Sequence, residues 1–166
     1  MSNTLQGKFR PRHPEKYKGN AGEIFYRSSW ELKFMEWCDT NKAVLAWQSE
    51  EKRVRYYDAV RKRQRVYYPD FLVKYLNRHG ETITEMVEIK PLRQVKGPSP
   101  NPKRKTKAWL NQVNTYVTNQ CKWQAAEEYC KDHGWEFRLL TEKNVKEWQL
   151  LWTLKSLTQA HRGMST

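Results

Sequence analysis

Tyr68-Pro69-Asp70-Phe71-Leu72-Val73 and Val87-Glu88-Ile89-Lys90-Pro91 decide how this chain folds. Each reads as a strand, the first carrying an acid directly after a proline, the second an acid and a lysine two residues apart. Successive side chains of a strand point to opposite faces, so Glu88 and Lys90 share a face if the segment is extended. Between the two strands lies Asn77-Arg78-His79-Gly80, a polar, glycine-terminated turn of hairpin length. Folding the chain back about that turn brings Asp70 level, within one residue, with Glu88. Two carboxylates and an ammonium then meet at one edge of a small sheet. Close carboxylates repel and each favours a neighbouring cation, so the cluster suits a hard, oxygen-loving divalent ion such as Mg2+ or Mn2+.

Upstream of this unit, Ser28 and Glu31 have the spacing of a capping box, and Trp30, Phe34, Trp37 and Cys38 follow at helical intervals as a stripe to be buried. The cap gives Glu31 a complete structural role. Ala43 to Trp47 reads as a first strand. Residues 52–57 and 64–68 flank a polar connection and read as a hairpin leading into the Asp70 strand. Lys52, Arg53, Arg55, Arg61, Lys62, Arg63 and Arg65 alternate there with Tyr56, Tyr57, Tyr67 and Tyr68. Basic side chains interleaved with aromatics make a surface suited to DNA. The same alternation serves an amphipathic hairpin, with the tyrosines as core. Residues 1–22 mix Lys8, Arg10, Arg12, Lys16 and Lys18 with glycine and proline, a composition that buries little, and we expect a basic extended arm.

Downstream, residues 91–107 hold Pro91, Pro98, Pro100 and Pro102 and end in Lys103, Arg104, Lys105 and Lys107. We expect an irregular basic loop without helix, placed to grip substrate. Thr106 to Asp132 is helical in pattern. Trp109, Leu110, Val113, Tyr116, Val117 and Cys121 form one stripe, Trp123, Ala126, Tyr129 and Cys130 another, and His133-Gly134 forms a stop. Lys122 lies within this helix as a further basic candidate. Trp135 to Leu140 alternates as a strand, and Thr141 opens a last helix with Val145, Trp148, Leu151 and Trp152 buried. We therefore divide the chain into an arm (1–22), one domain (23–158) and a disordered tail (159–166).

The chain has 166 residues, enough for one domain with a real core. Its 31 Lys and Arg against 18 Asp and Glu leave a net charge of +13, which points to a polyanionic partner, nucleic acid being the commonest. Nothing approaches the roughly 20 apolar residues that cross a bilayer, and the N-terminus lacks a hydrophobic signal core, so the sequence reads as soluble and intracellular. Cys38, Cys121 and Cys130 have neither disulfide-framework nor zinc spacing. The four histidines are scattered and none is assigned to a site.

Pro69-Asp70 followed by Glu88-Ile89-Lys90 resembles the core signature of the PD-(D/E)xK nucleases, the restriction-endonuclease-like superfamily. The order helix, antiparallel strands, helix, strand, helix is the one this resemblance implies: an α/β restriction-endonuclease-like core, a small mixed sheet flanked by helices. The resemblance extends over Gly7-Lys8-Phe9, Tyr17-Lys18-Gly19-Asn20, Tyr26 to Glu31, and Asn119 to Lys143, and is similar to the head-completion nucleases of large contractile-tailed phages. It implies Asp70 and Glu88 as metal ligands, Lys90 as the catalytic lysine and Glu31 as an additional acid and ligand. It also implies double-stranded DNA as substrate, phage head, portal or neck proteins as partners, and a place in the host cytoplasm or on the virion. The Ile89 carbonyl can assist the carboxylates. Two other readings use the same residues: a DNA-binding head or neck component without catalysis, and a branched-DNA resolvase of the same superfamily.

Overall fold

Alternating apolar residues and the turns between them fix the strand order. In the computed structural model, which describes residues 5–144, the elements are β1 (Gly7–Phe9), a single 3-10 turn (Pro14–Lys16), β2 (Ile24–Tyr26), α1 (Ser29–Thr40), β3 (Val44–Ser49), β4 (Val54–Asp58), β5 (Arg63–Tyr67), β6 (Phe71–Leu76), β7 (Thr82–Ile89), α2 (Leu92–Lys96), α3 (Lys107–His133) and β8 (Glu136–Leu140). Strands β3, β6, β7 and β8 lie side by side in that order. β6 runs antiparallel to both of its neighbours, β3 and β7, and β8 runs parallel to β7. A parallel neighbour demands a crossover, which α2 and α3 provide. Expected and observed architecture agree: a small mixed sheet flanked by helices.

The β6–β7 hairpin has the expected turn. Asn77 Oδ1 accepts from the amides of His79 (2.9 Å) and Glu81 (3.0 Å), and Gly80 takes φ 79°, where a side chain would be strained. The register pairs Phe71 with Val87 and Leu72 with Met86. Continuing it by one residue sets Asp70 opposite Glu88.

Alternation then assigns the faces. Phe71, Val73, Val87 and Ile89 join Val44, Trp47 and Leu140 in a core closed by Phe34, Met35 and Cys38 of α1. Met86 and Leu72 face the other way, against Val54, Tyr56 and Tyr67 of the β4–β5 hairpin and Ala126 and Cys130 of α3. Each large apolar side chain so buried contributes about 1.5–3 kcal/mol. Ser28 caps α1 as its spacing predicts, accepting from the amide of Glu31 at 3.1 Å.

Three expectations are corrected. The segment expected as an extended arm is folded onto the domain from Gly7 onward. β1 pairs with β2, and Phe9 and Tyr17 are buried edge-on against Trp47. Buried Asp39 accepts the backbone amides of Arg12 (2.8 Å) and His13 (3.0 Å), and Lys16 Nζ donates to the carbonyls of Asp39 and Asn41. Two aromatic anchors and a polar clasp hold a segment whose composition alone promises no core. The loop after Lys90 is not free of helix. Leu92 to Lys96 contains no proline, Pro91 supplies an extended entry and Gly97 at φ 76° ends it. Finally, the buried residues of α3 are Asn119, Trp123, Ala126 and Cys130, whereas Leu110 of the expected first stripe is 49% exposed. In that first half Trp109 donates to the Ser99 carbonyl at 2.8 Å, and Tyr116 lies close over Gly97.

Among the hairpin tyrosines, Tyr56 and Tyr67 are core while Tyr57 and Tyr68 are exposed. Among the described residues no helix is long and apolar enough to cross a membrane. The expected last helix from Val145 onward and the tail fall outside the described residues.

Candidate active site

Pro69 is fully buried and lacks an amide hydrogen, so β6 starts only at Phe71 and Asp70 stands on the bend before it. From there Asp70 Oδ2 accepts the Ile89 amide at 2.8 Å, while its own amide donates to Glu88 Oε2 at 3.3 Å. The two acids are thus cross-linked to each other's strand. Glu88 is 3% exposed. Its Oε2 also accepts from the Tyr67 hydroxyl at 2.6 Å, and its Oε1 lies 3.1 Å from Lys90 Nζ. Glu88 and Lys90, two apart on an extended segment, do share a face.

The charges do not balance. Burial and then the Glu88 charge push the Asp70 carboxyl well above the ordinary carboxylate range, against the pull of Lys90. Lys90 is desolvated, which lowers its affinity for a proton, but the Glu88 and Asp70 charges outweigh this and hold it above the ordinary value. The ammonium is therefore a fixed cation between two acids. Burial raises the Tyr67 hydroxyl, aided by Glu88, so it stays a donor.

Glu31 is placed differently from the pair. Both its oxygens are engaged in the cap of α1, Oε2 by the Arg27 amide (3.0 Å) and Oε1 by the Ser28 hydroxyl (3.1 Å). Its charge is nevertheless felt at Asp70 and Lys90. Lys122, from α3, reaches over the rings of Tyr67 (5.6 Å) and Tyr56 (6.0 Å). Desolvation lowers its pKa, while attraction to Glu88 and repulsion by Lys90 mark it as a neighbour of the cluster.

Of the hairpin cations, Arg61 and Arg65 are held at the tip by buried Asp58, at 3.0 and 3.3 Å. Arg53, Arg55, Lys62 and Arg63 are exposed. Lys103, Arg104, Lys105 and Lys107 are exposed where the loop enters α3, with no contact to the acid pair among the described residues. A groove of about 570 Å³ runs between the hairpin tip and α3 and has Lys122 in its lining.

Sequence reasoning missed the place of Tyr67 beside Glu88, since it was read as part of a DNA-facing surface or as core, and the Arg27–Glu50 ion pair. The Glu50 amide bonds to the Asp70 carbonyl at 3.1 Å, and Glu50 takes φ 53°, uncommon for a residue with a side chain. Tyr67 had one legible signal, its place on the strand leading directly into Pro69-Asp70. The Arg27–Glu50 pair had none, since it joins segments 23 residues apart.

Among the described residues no group of three or more His, Cys, Asp or Glu side chains gathers closely enough to hold a metal ion. Asp70 and Glu88 nonetheless form an all-oxygen donor pair with an excess of negative charge. That fits a hard ion such as Mg2+, which is commonly bound by one or two carboxylates and completes its shell with water and substrate phosphate.

Comparison with known proteins places the chain in a family. The model of a family described as TnsA-like endonuclease N terminal matches residues 41–142, which hold Asp70, Glu88, Lys90 and Lys122. The head completion nuclease of Enterobacteria phage T4 is 33% identical over 143 residues, covering 84% of this chain and 93% of that protein. No solved structure matches the chain at a significant level. With the mixed sheet and its acid pair, these matches show that the chain belongs to the TnsA-like endonuclease N-terminal family, nucleases of restriction-endonuclease-like fold.

Proposed function

We propose that this chain is a Mg2+-dependent DNA endonuclease in which Asp70, Glu88 and Lys90 hydrolyse a phosphodiester bond. The observation that carries this reading is the acid pair, buried Glu88 and half-buried Asp70, set against a single lysine. Asp70 and Glu88 would hold the metal, with the Ile89 carbonyl beside them. When bound, the ion acts as a Lewis acid, making its water more acidic and neutralising charge on the phosphate.

The protein's own groups have distinct tasks. Lys90 is held as an ammonium by the Glu88 and Asp70 charges. It donates to a non-bridging phosphate oxygen or orients the attacking water. Water adds to phosphorus as the bond to one bridging oxygen breaks, and that oxygen leaves as an alcohol. Tyr67 fixes one oxygen of Glu88, leaving Oε1 for Lys90 and the metal. Glu31 adds negative field from the cap of α1. The cations of the hairpin (Arg53, Arg55, Arg61, Lys62, Arg63, Arg65), those of the loop (Lys103, Arg104, Lys105, Lys107) and Lys122 bind the DNA backbone.

Similarity to a protein named for head completion supports a role on packaged viral DNA, trimming it before the tail joins, in contact with head, portal or neck proteins. The test is cleavage of linear and circular double-stranded DNA in Mg2+ or Mn2+ by the parent, Asp70→Ala and Lys90→Ala, with binding followed in parallel. Cleavage of both forms by the parent, and binding without cleavage by the variants, is expected. Binding without cleavage by all three overturns the enzyme in favour of a DNA-binding component.

A further inference from the structure

Helix α3 changes character along one face. In its second half that face carries Ala125, Ala126 and Tyr129, which pack on the hairpin and sheet. Continuing the same face toward the N-terminus, at steps of three and four residues, gives Lys122, Asn119, Thr118, Thr115, Asn114 and Asn111. This stripe flanks the buried edge of the helix: Asn119 is buried, Thr118 half-buried, and Thr115, Asn114 and Asn111 are exposed as the helix leaves the core. It becomes one wall of the groove of about 570 Å³ whose opposite wall holds Arg61 and Arg65.

Three features of this wall call for a ligand. Asn and Thr are among the poorer helix formers, so five of them along one face do not serve the helix itself. Among the described residues none of their side chains bonds to the protein, not even the back-bond to a carbonyl four residues earlier that Thr40 makes to Glu36 at 2.7 Å. Asn119 is nearly buried, 6% exposed, yet lines the groove. No acid occurs in α3 before Glu127, so the wall carries amides and hydroxyls without a charge that would repel DNA. Side-chain amides are the groups that pair with both a donor and an acceptor on one base edge, and a threonine methyl suits that of thymine. The groove is bordered by Lys122, which is within electrostatic reach of Glu88 and Lys90.

We propose that this face of α3, Asn111, Asn114, Thr115, Thr118 and Asn119, contacts the base edges of the DNA next to the scissile phosphate, giving the nuclease a flanking-sequence preference. The proposal rests on the nuclease reading above and deepens it. The hairpin arginines hold the backbone of the same DNA from across the groove, and Lys122 marks where it approaches Asp70 and Glu88.

The test maps cut positions on a random-sequence duplex by sequencing the ends, for the parent and for Asn114→Ala/Thr118→Ala. Alanine is the best helix former, so the variant keeps α3. The parent is expected to show base enrichments of about tenfold beside the cut, within the range of one good side-chain–base pair. The variant is expected to lose them, cutting preferred sequences no faster than others. Random cutting by the parent overturns the proposal. So does a variant that retains the preference, or one that binds all sequences more weakly with a shallower salt dependence, the mark of phosphate contacts. If the parent does not cut, the nuclease reading fails by itself. Selection of bound duplexes from the same library by parent and variant then decides the role of α3, shared enrichment or none overturning it.

Discussion

Strand β7 buries two glutamates three residues apart, and the fold treats them in opposite ways. Glu85, on the α1 face, has one oxygen 2.9 Å from Arg138 Nε and the other 2.9 Å from the Tyr75 hydroxyl. Glu88, on the α3 face, has the equivalent pair, Lys90 at 3.1 Å and the Tyr67 hydroxyl at 2.6 Å. Each acid therefore receives one cation and one tyrosine. What separates them is the second carboxylate that the strand register brings to each: Glu136 of β8 beside Glu85 is exposed to water, whereas Asp70 is hydrogen-bonded into the strand of Glu88. At Glu85 the extra acid is left to solvent; at Glu88 it is held close, and burial and the Glu88 charge push it well above the ordinary carboxylate range. A fold gains nothing from crowding two carboxyls in this way, which is why the proposed chemistry is assigned to the second glutamate and not to the first.

The largest effect expected from breaking this contrast is on catalysis. Asp70→Asn removes the excess charge and keeps the shape, and Lys90→Ala removes the fixed cation. Each should lower the DNA cleavage rate by a factor on the order of 10²–10³ or more, the scale of a preorganised electrostatic contact. Asp70→Asn should unfold in urea at the same midpoint as the parent or a higher one, because it relieves repulsion. A marked fall in that midpoint would mean that the pair is a structural clasp.

The two tyrosines sharpen the comparison because the same change can be made at both. Tyr75→Phe leaves a buried oxygen of Glu85 short of a donor and should cost about 1–3 kcal/mol of stability, with cleavage unaltered. Tyr67→Phe should cost a similar amount and also slow cleavage about tenfold, since it frees the orientation of the carboxylate proposed to act in catalysis. Urea denaturation and cleavage rates on both variants check this. Equal cleavage by the two would remove Tyr67 from the site.

These pairs also show what a sequence can reveal. The acid pair and Lys90 were legible because strand periodicity, a hairpin turn of definite length and a proline fix their register locally. The cap by Ser28 and Glu31 was legible for the same reason, and it explains why Glu31's oxygens are engaged away from the acid pair. The packing of residues 7–22 was not, because it depends on Asp39 and Trp47, which are distant in the chain. Alternation correctly assigned charged and aromatic residues to the hairpin but could not say which tyrosine faced in. The helical period of α3 was read from its apolar stripe, yet a period does not say where the sheet beneath a helix ends. The polar stripe that lines the groove beyond the core therefore has no signal in that period.

The smallest effect concerns acids that are closed by arginine, where pH separates two means of closure. Burial raises the carboxyl of Glu85 above its ordinary 4.5, Arg138 and Tyr75 only partly offsetting this. Asp58 is also buried, but the amides of Val60 and Arg61 and the side chains of Arg61 and Arg65 all donate to it, and it is lowered from 3.8 to about 2. A raised carboxyl binds its proton more tightly in the folded state, so the stability it contributes is complete below about pH 4.5 and is lost as pH rises through the folded value. A lowered one contributes above pH 3.8 and loses its contribution as pH falls toward about 2. Measured by urea denaturation across this range, the advantage of the parent over Glu85→Gln should therefore shrink with rising pH. Its advantage over Asp58→Asn should shrink with falling pH. Parallel slopes would show that an arginine partner alone sets the behaviour of a buried acid. Opposite slopes would show that backbone amides, which Asp58 has and Glu85 lacks, are what make an ionised acid welcome inside this fold.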